Sequence, residues 1–265
     1  MVWSGAGTLA VALGEFIIIV RARILAITLG GEYMQQAYRA LRIVAEAQTL
    51  RIVLATDPDE LMLNELVIAC DSLNKESGSG IKAVVLDFDS SATQFIAPGS
   101  QEAIIPAPRI VENACVAVRA ITQPVLAVAT ATLSKSASML IQAADFTLVA
   151  EHAVLVVSNE KAGEEDTFTG SQAARMGFVT WSAPGSNINK QMERILDLLR
   201  SKSAIALRHA KASVHLAEAK AKHATRLEAL QQVNTLYLIE LMQTHDAHEG
   251  LQAFLEKRKP NWKNI

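Results

Sequence analysis

Residues 130–155 read TATLSKSASMLIQAADFTLVAEHAVL, a loop of small polar residues feeding an apolar helical stretch, then an aspartate and a strand. The first amides of a helix have no acceptor within it, and with the helix dipole they favour an anion. Ser134 and Ser136 also suit the N-cap position, with Lys135 between them as a solvated surface charge. Further along the helix, where a catalytic acid would be sought, stands Met139, a residue that cannot transfer a proton.

Other chemical groups are more dispersed. The chain has 6 histidines, and His209, His215 and His223 fall on long helices where they read as surface residues. His245 and His248 could share a helical face, but no cysteine or paired acid accompanies them to make a zinc set. Ser134-Lys135-Ser136 lacks Ser-x-x-Lys spacing, and no glycine-rich phosphate loop occurs. Pro98-Gly99 reads as a turn, the GEED run at 163–166 as a solvated loop, and Lys257-Arg258-Lys259 as a basic cluster beside Phe254.

These groups need a scaffold, and 265 residues, 50% of them hydrophobic, suffice for one main domain with a substantial core. A formal net charge of −2 gives no global field to recruit nucleic acid. Cys70 and Cys115 sit in apolar contexts as small buried hydrophobes, which suits a reduced, cytoplasmic protein. The apolar first 33 residues are interrupted by Glu15, Arg21 and Arg23, so no membrane span is expected. Residues 1–37 read as an N-terminal extension, either an added hairpin or a translated leader ahead of Met34.

From Tyr38 onward, LRIVA and LRIVLA flank a short polar EAQT that suits a hairpin, and DPDELMLNELVIACDSLNK follows as a helix. IKAVVLDF and QPVLAVAT are continuous apolar runs of the kind buried in a parallel sheet, separated by the helical RIVENACVAVRAIT. SASMLIQAA is helical, and DFTLVA and HAVLVV add two strands. This alternation predicts an α/β fold whose ligands collect at the carboxyl ends of the strands. EKAGEEDTFTGSQ reads as an acidic, turn-rich loop, FTGSQAARMGFVTWSAPG as a short helix with a return strand, and residues 188–265 as a helical region. There, Leu227, Leu230, Val233, Leu236, Tyr237, Leu241 and Met242 form an apolar stripe that must pack against the core or a neighbour.

Over residues 38–264 the chain resembles the crotonase, or enoyl-CoA hydratase/isomerase, superfamily. The tail EGLQAFLEKRKPNWKN at 249–264 is similar to the family's closing Glu-Gly-x-x-Ala-Phe-x-Glu-Lys-Arg-x-Pro, and IKAVVLDF, QPVLAVAT, AADFTLVAEHAVL and TGSQAARMGFV are further matches. The resemblance implies a ββα spiral core over 38–187 with a C-terminal helical trimerisation region over 188–265. It also implies an acyl thioester whose carbonyl oxygen meets two backbone N–H groups. Carried over, the donors are Gly99, in Phe95-Ile96-Ala97-Pro98-Gly99-Ser100, and Ser136, where Lys135-Ser136-Ala137 stands for the family's three glycines.

The same register puts Met139 and Asn159 at the family's two glutamate positions, with Glu160 one residue displaced. Only EKAGEEDTF stands where the family has another helix, which implies a shallower, wetter pocket. Ala97, Phe254 and Lys257 become contacts to a coenzyme A thioester, bound as ligand rather than cofactor, and the expected assembly is a homotrimer or a dimer of trimers. The expectation is therefore a thioester-binding protein with weak or absent hydratase activity. The alternatives are a structural or acyl-carrier-binding subunit, or an isomerase, decarboxylase or hydrolase using Glu160 or Ser136.

Overall fold

The computed structural model describes residues 38–54, 58–75, 80–88, 106–159, 164–221 and 226–265. The N-terminal extension over 1–37, the loop with Ala97 and Gly99, and Glu160 lie outside the described residues.

Strand β1 (Leu41–Glu46) turns back into β2 (Thr49–Leu54) through Ala47 and Gln48, with φ of 29° and 67°. A two-residue hairpin whose turn residues both have positive φ matches the twist of the flanking strands, and here the predicted hairpin adopts that conformation with non-glycine residues. Helix α1 (Glu60–Lys75) starts where Asp59 Oδ1 accepts from the Met62 amide at 2.7 Å, as the Asp-Pro-Asp signal predicted. Its buried Glu65 accepts from the amides of Arg39 and Ala40, both at 2.9 Å, and so fixes the chain entering β1.

β3 (Ala83–Phe88), helix α2 (Pro108–Ala120), β4 (Val125–Ala129), helix α3 (Lys135–Gln142) and β5 (Phe146–Ala150) follow. The sheet is completed by β8 (Trp181–Ala183) in the order β1-β2-β3-β4-β5-β8, parallel throughout except for β1 against β2. All five residues of β4 are buried, as expected of a central strand covered on both faces. On edge strand β1 buried Leu41 and Ile43 alternate with exposed Arg42, the pattern of a strand with one face out.

One sequence expectation is overturned. Within EKAGEEDTFTGSQ, Glu164–Thr169 is not loop but strand β7, antiparallel to β6 (Val154–Asn159) in a separate two-stranded sheet. β-Propensity ranks Glu and Asp low, but partner-strand pairing supplies what the local sequence does not. The GEED charges thus sit largely on a strand, with Asp166 exposed. This hairpin occupies the stretch where the resemblance implied another helix.

The hairpin rests on α3: Ser138 Oγ accepts from the Val156 amide at 3.0 Å, and the Leu133 amide donates to the Val154 carbonyl at 2.9 Å. Helix α4 (Gly170–Met176) begins with a capping box. Thr169 Oγ1 accepts from the Gln172 amide at 3.3 Å, and Gln172 Oε1 accepts from the Thr169 amide at 2.9 Å. Helix α5 (Ile188–Arg200) buries Ile188, Met192, Ile195, Leu196 and Leu199 along one stripe.

Beyond it lie α6 (Ala204–Ala221), α7 (Arg226–Thr235), a π-helical turn (Leu236–Leu241) and α8 (His245–Leu255). Of the predicted apolar stripe, Leu230 and Tyr237 are exposed, as are their neighbours Leu238 and Ile239, so this region is not buried against its own core. Among the described residues no helix is long and apolar enough to cross a membrane.

Candidate functional site

The loop 130–134 leaves the carboxyl end of β4 and delivers the chain to α3. Ser134 is the N-cap, its Oγ accepting from the Ala137 amide at 3.2 Å, and its carbonyl accepts from the Ser138 amide at 2.9 Å. Of the two serines read as caps, Ser134 takes that role. The Ser136 amide, second in the helix, has no acceptor within α3, because helical amides reach a carbonyl four residues back only after the first turn. Ser136 is half-buried and Lys135 exposed.

Met139 follows Ser136 by three residues, so the two share a side of the helix. It is half-buried and packs against the main core. Asn159 ends β6, its Cα in register with Glu164 of β7. The structure thus places Ser136 and Met139 together at the carboxyl end of the sheet, while Gly99, Ala97 and Glu160 lie outside the described residues.

The threonine-glycine motif has a steric reason. A Cβ on Gly170 would lie 2.2 Å from the Ala150 carbonyl oxygen and 3.2 Å from Val149 Cγ1. Only glycine lets α4 start this close to the end of β5.

The tail motif is a structural clasp. Glu249 accepts from Arg258 Nη1 at 2.6 Å and from the Asn261 amide at 2.7 Å. The Arg258 hydrogen bond, helped by that amide, holds the Glu249 carboxyl down at about 2. Gly250 lies against Trp262, whose Nε1 donates to the Ser201 carbonyl at 2.9 Å. Asp246, buried, accepts from Ser203 Oγ at 2.6 Å and from the Lys263 amide at 2.8 Å. Arg258, read from sequence as part of a basic cluster, is thus committed to Glu249 and Glu256. Phe254, by contrast, is 81% exposed, and Lys257 is exposed with φ of 53°.

A second polar cluster lies at the opposite end of α3, about 9 Å along the axis from Ser136. Asp145 Oδ2 accepts from the Val125 amide at 2.7 Å and faces Lys211 Nζ at 2.7 Å. Asp145 Oδ1 lies 3.0 Å from His215 Nε2. Lys211 also donates to the Gln123 carbonyl at 3.1 Å. Burial lowers the Lys211 pKa and the Asp145 charge opposes that shift. His215, expected to be a surface residue, is therefore a half-buried member of a cluster that ties α6 to the amino ends of β4 and β5. Helical periodicity cannot reveal this, because Asp145 is 70 residues away in sequence.

Residues 164–264 match the model of a family described as enoyl-CoA hydratase/isomerase. A 37-residue stretch is 62% identical to the cyclohexa-1,5-dienecarbonyl-CoA hydratase of Thauera aromatica and covers 14% of each chain. The enoyl-CoA hydratase structure from Mycobacterium smegmatis is similar at TM-score 0.66 and 19% identity, over 84% of this chain and 99% of that one. The enoyl-CoA hydratase of Bacillus anthracis is similar at TM-score 0.67 and 20% identity, over 86% of this chain and 100% of that one. At such identities the structural likeness speaks for fold. The chain thus shares the fold of these enoyl-CoA hydratase structures over most of its length, and its residues 164–264 match the enoyl-CoA hydratase/isomerase family.

Proposed function

We propose that the protein binds an acyl-CoA-type thioester, its carbonyl oxygen held by the backbone amides of Ser136 and Gly99, and hydrates it weakly or not at all. The observation that carries this reading is the start of α3: a Ser134-capped helix leaves the Ser136 amide without a helical acceptor, and the next turn offers Met139 instead of a carboxylate. Oriented amides stabilise a developing oxyanion by about 3 kcal/mol each. They do not activate water or deliver a proton to carbon, which needs positioned acid–base groups. Met139 and Asn159, at the family's two glutamate positions, supply neither.

In this reading Ala97, Phe254 and Lys257 contact coenzyme A, and the protein works in the cytoplasm as a trimer or dimer of trimers. The exposed Tyr237, Leu238 and Ile239 support an assembly face. They also favour a second reading, a structural or acyl-carrier-binding subunit that keeps the assembly helices and has left the pocket unused. An isomerase, decarboxylase or hydrolase would need Glu160 or Ser136 as the acting side chain.

Calorimetry with a coenzyme A thioester and a crotonyl-CoA hydration assay test the proposal together. Binding with little or no turnover is expected. Robust turnover abolished by Glu160→Gln would refute it, and neither binding nor turnover would favour the structural reading.

A further inference from the structure

Burial along α3 leaves a single open stripe. Ala137, Ser138, Leu140 and Ile141 are buried, whereas Lys135 is exposed and Ser136, Met139 and Gln142 are half-buried. Positions three or four apart are neighbours on a helix surface, so Ser136, Met139 and Gln142 form one row along the axis. The buried side is fully engaged: Ser138 Oγ accepts from the Val156 amide of β6, and Ala137, Leu140 and Ile141 belong to the core.

A group held by the Ser136 amide therefore meets residue 139 next, about 4.5 Å further along the axis. Helical side chains lean toward the amino end, which brings Met139 back toward Ser136. Methionine offers a flexible, polarizable thioether that has no donor and is only a weak acceptor. Against it a hydrocarbon exchanges water for dispersion contact, while a hydroxyl gives up a hydrogen bond to water and gains no partner of comparable strength.

We infer that Met139 selects the acyl group: the site takes thioesters whose acyl chain is plain hydrocarbon through its third carbon and discriminates against those with a hydroxyl there. The inference rests on the thioester reading of this same site and narrows its substrate class. It makes 3-hydroxyacyl thioesters, the products of hydration, the disfavoured ligands.

Isothermal titration calorimetry of the full chain with butyryl-CoA, 3-methylbutyryl-CoA and 3-hydroxybutyryl-CoA tests this. The last two differ at the third carbon only by methyl against hydroxyl, which separates polarity from size. The expected result is that 3-methylbutyryl-CoA binds about tenfold or more tighter than 3-hydroxybutyryl-CoA. Met139→Leu keeps that preference, and Met139→Gln, whose amide can pair with the hydroxyl, brings the two affinities to within about threefold. Circular dichroism confirms that each variant folds, and the comparison in the parent together with Met139→Leu decides the matter should Met139→Gln not fold. Butyryl-CoA binding with no difference between the branched pair overturns this inference and leaves the thioester reading standing. An undiminished preference in folded Met139→Gln overturns the assignment to Met139. Absence of binding by all three overturns the thioester reading, and this inference with it.

Discussion

Replacing Gly170 by alanine tests how α4 is seated on the sheet. The added Cβ would lie 2.2 Å from the Ala150 oxygen and 3.0 Å from the Ala150 carbon, so backbone must move by about 1 Å to reach van der Waals contact. Ala150 is fully buried at the end of β5, and its oxygen accepts from the Ala153 amide at 3.0 Å. If instead the helix start moves, the bond from the Gly170 amide to the Ala153 carbonyl, 2.8 Å, is stretched, and so is the one from Ser171 to Glu151, 3.3 Å. Overpacking costs about 1–3 kcal/mol and each lost hydrogen bond about 1 kcal/mol, which together give about 2–5 kcal/mol. For a chain of this size that is a fall in melting temperature of about 4–10 °C. Gly177→Ala is the control: its φ of 80° makes alanine strained, yet nothing lies within 4 Å of the added carbon, so only about 1 kcal/mol is expected. Urea unfolding monitored by circular dichroism measures both. Gly170→Ala within about 0.5 kcal/mol of the parent would refute the steric argument.

Met139→Glu should raise crotonyl-CoA hydration over the parent's background by up to about 100-fold and cost about 1–3 kcal/mol of stability for a half-buried carboxylate. Unchanged turnover with thioester binding intact would show that residue 139 does not face the substrate carbons. Burial pushes the Cys70 thiol up to about 12 from 9.0, so the folded protein holds a proton that the unfolded chain releases. Its stabilisation is complete below pH 9 and is lost as pH rises toward about 12. Burial of Tyr38 acts in the same sense and the lowered Lys211 pKa in the opposite one. Cys70→Ala should therefore flatten the alkaline loss of stability seen in denaturant titrations, and an unaltered slope would count against it. Glu249, lowered from 4.5 to about 2 by Arg258, stabilises the clasp above the higher value and stops doing so as pH falls toward the lower. Trp262 fluorescence should report that acid transition in the parent, while Glu249→Gln should show the released signal at neutral pH.

The sequence by itself determined the elements whose signals are local. The hairpin of β1 and β2, the Asp59 start of α1, the apolar runs of β3 and β4, and the Ser134 cap of α3 are set by propensity, periodicity and capping chemistry within a few residues. The methionine at position 139, and the motifs that resemble the enoyl-CoA hydratase/isomerase family, are likewise legible in one dimension. What only the tertiary structure decided depends on partners far apart in the chain. The acidic stretch after residue 160 becomes strand β7 because β6 offers it hydrogen bonds, and local composition does not encode that partner. His215 leaves the surface class because Asp145, 70 residues away, is brought beside it. Arg258 becomes a clasp rather than a free cation because the chain turns back onto Glu249, and Gly170 is required because the Ala150 carbonyl occupies the space a side chain would need. Burial and close approach are properties of chain segments meeting, and they appear only once the fold has brought those segments together.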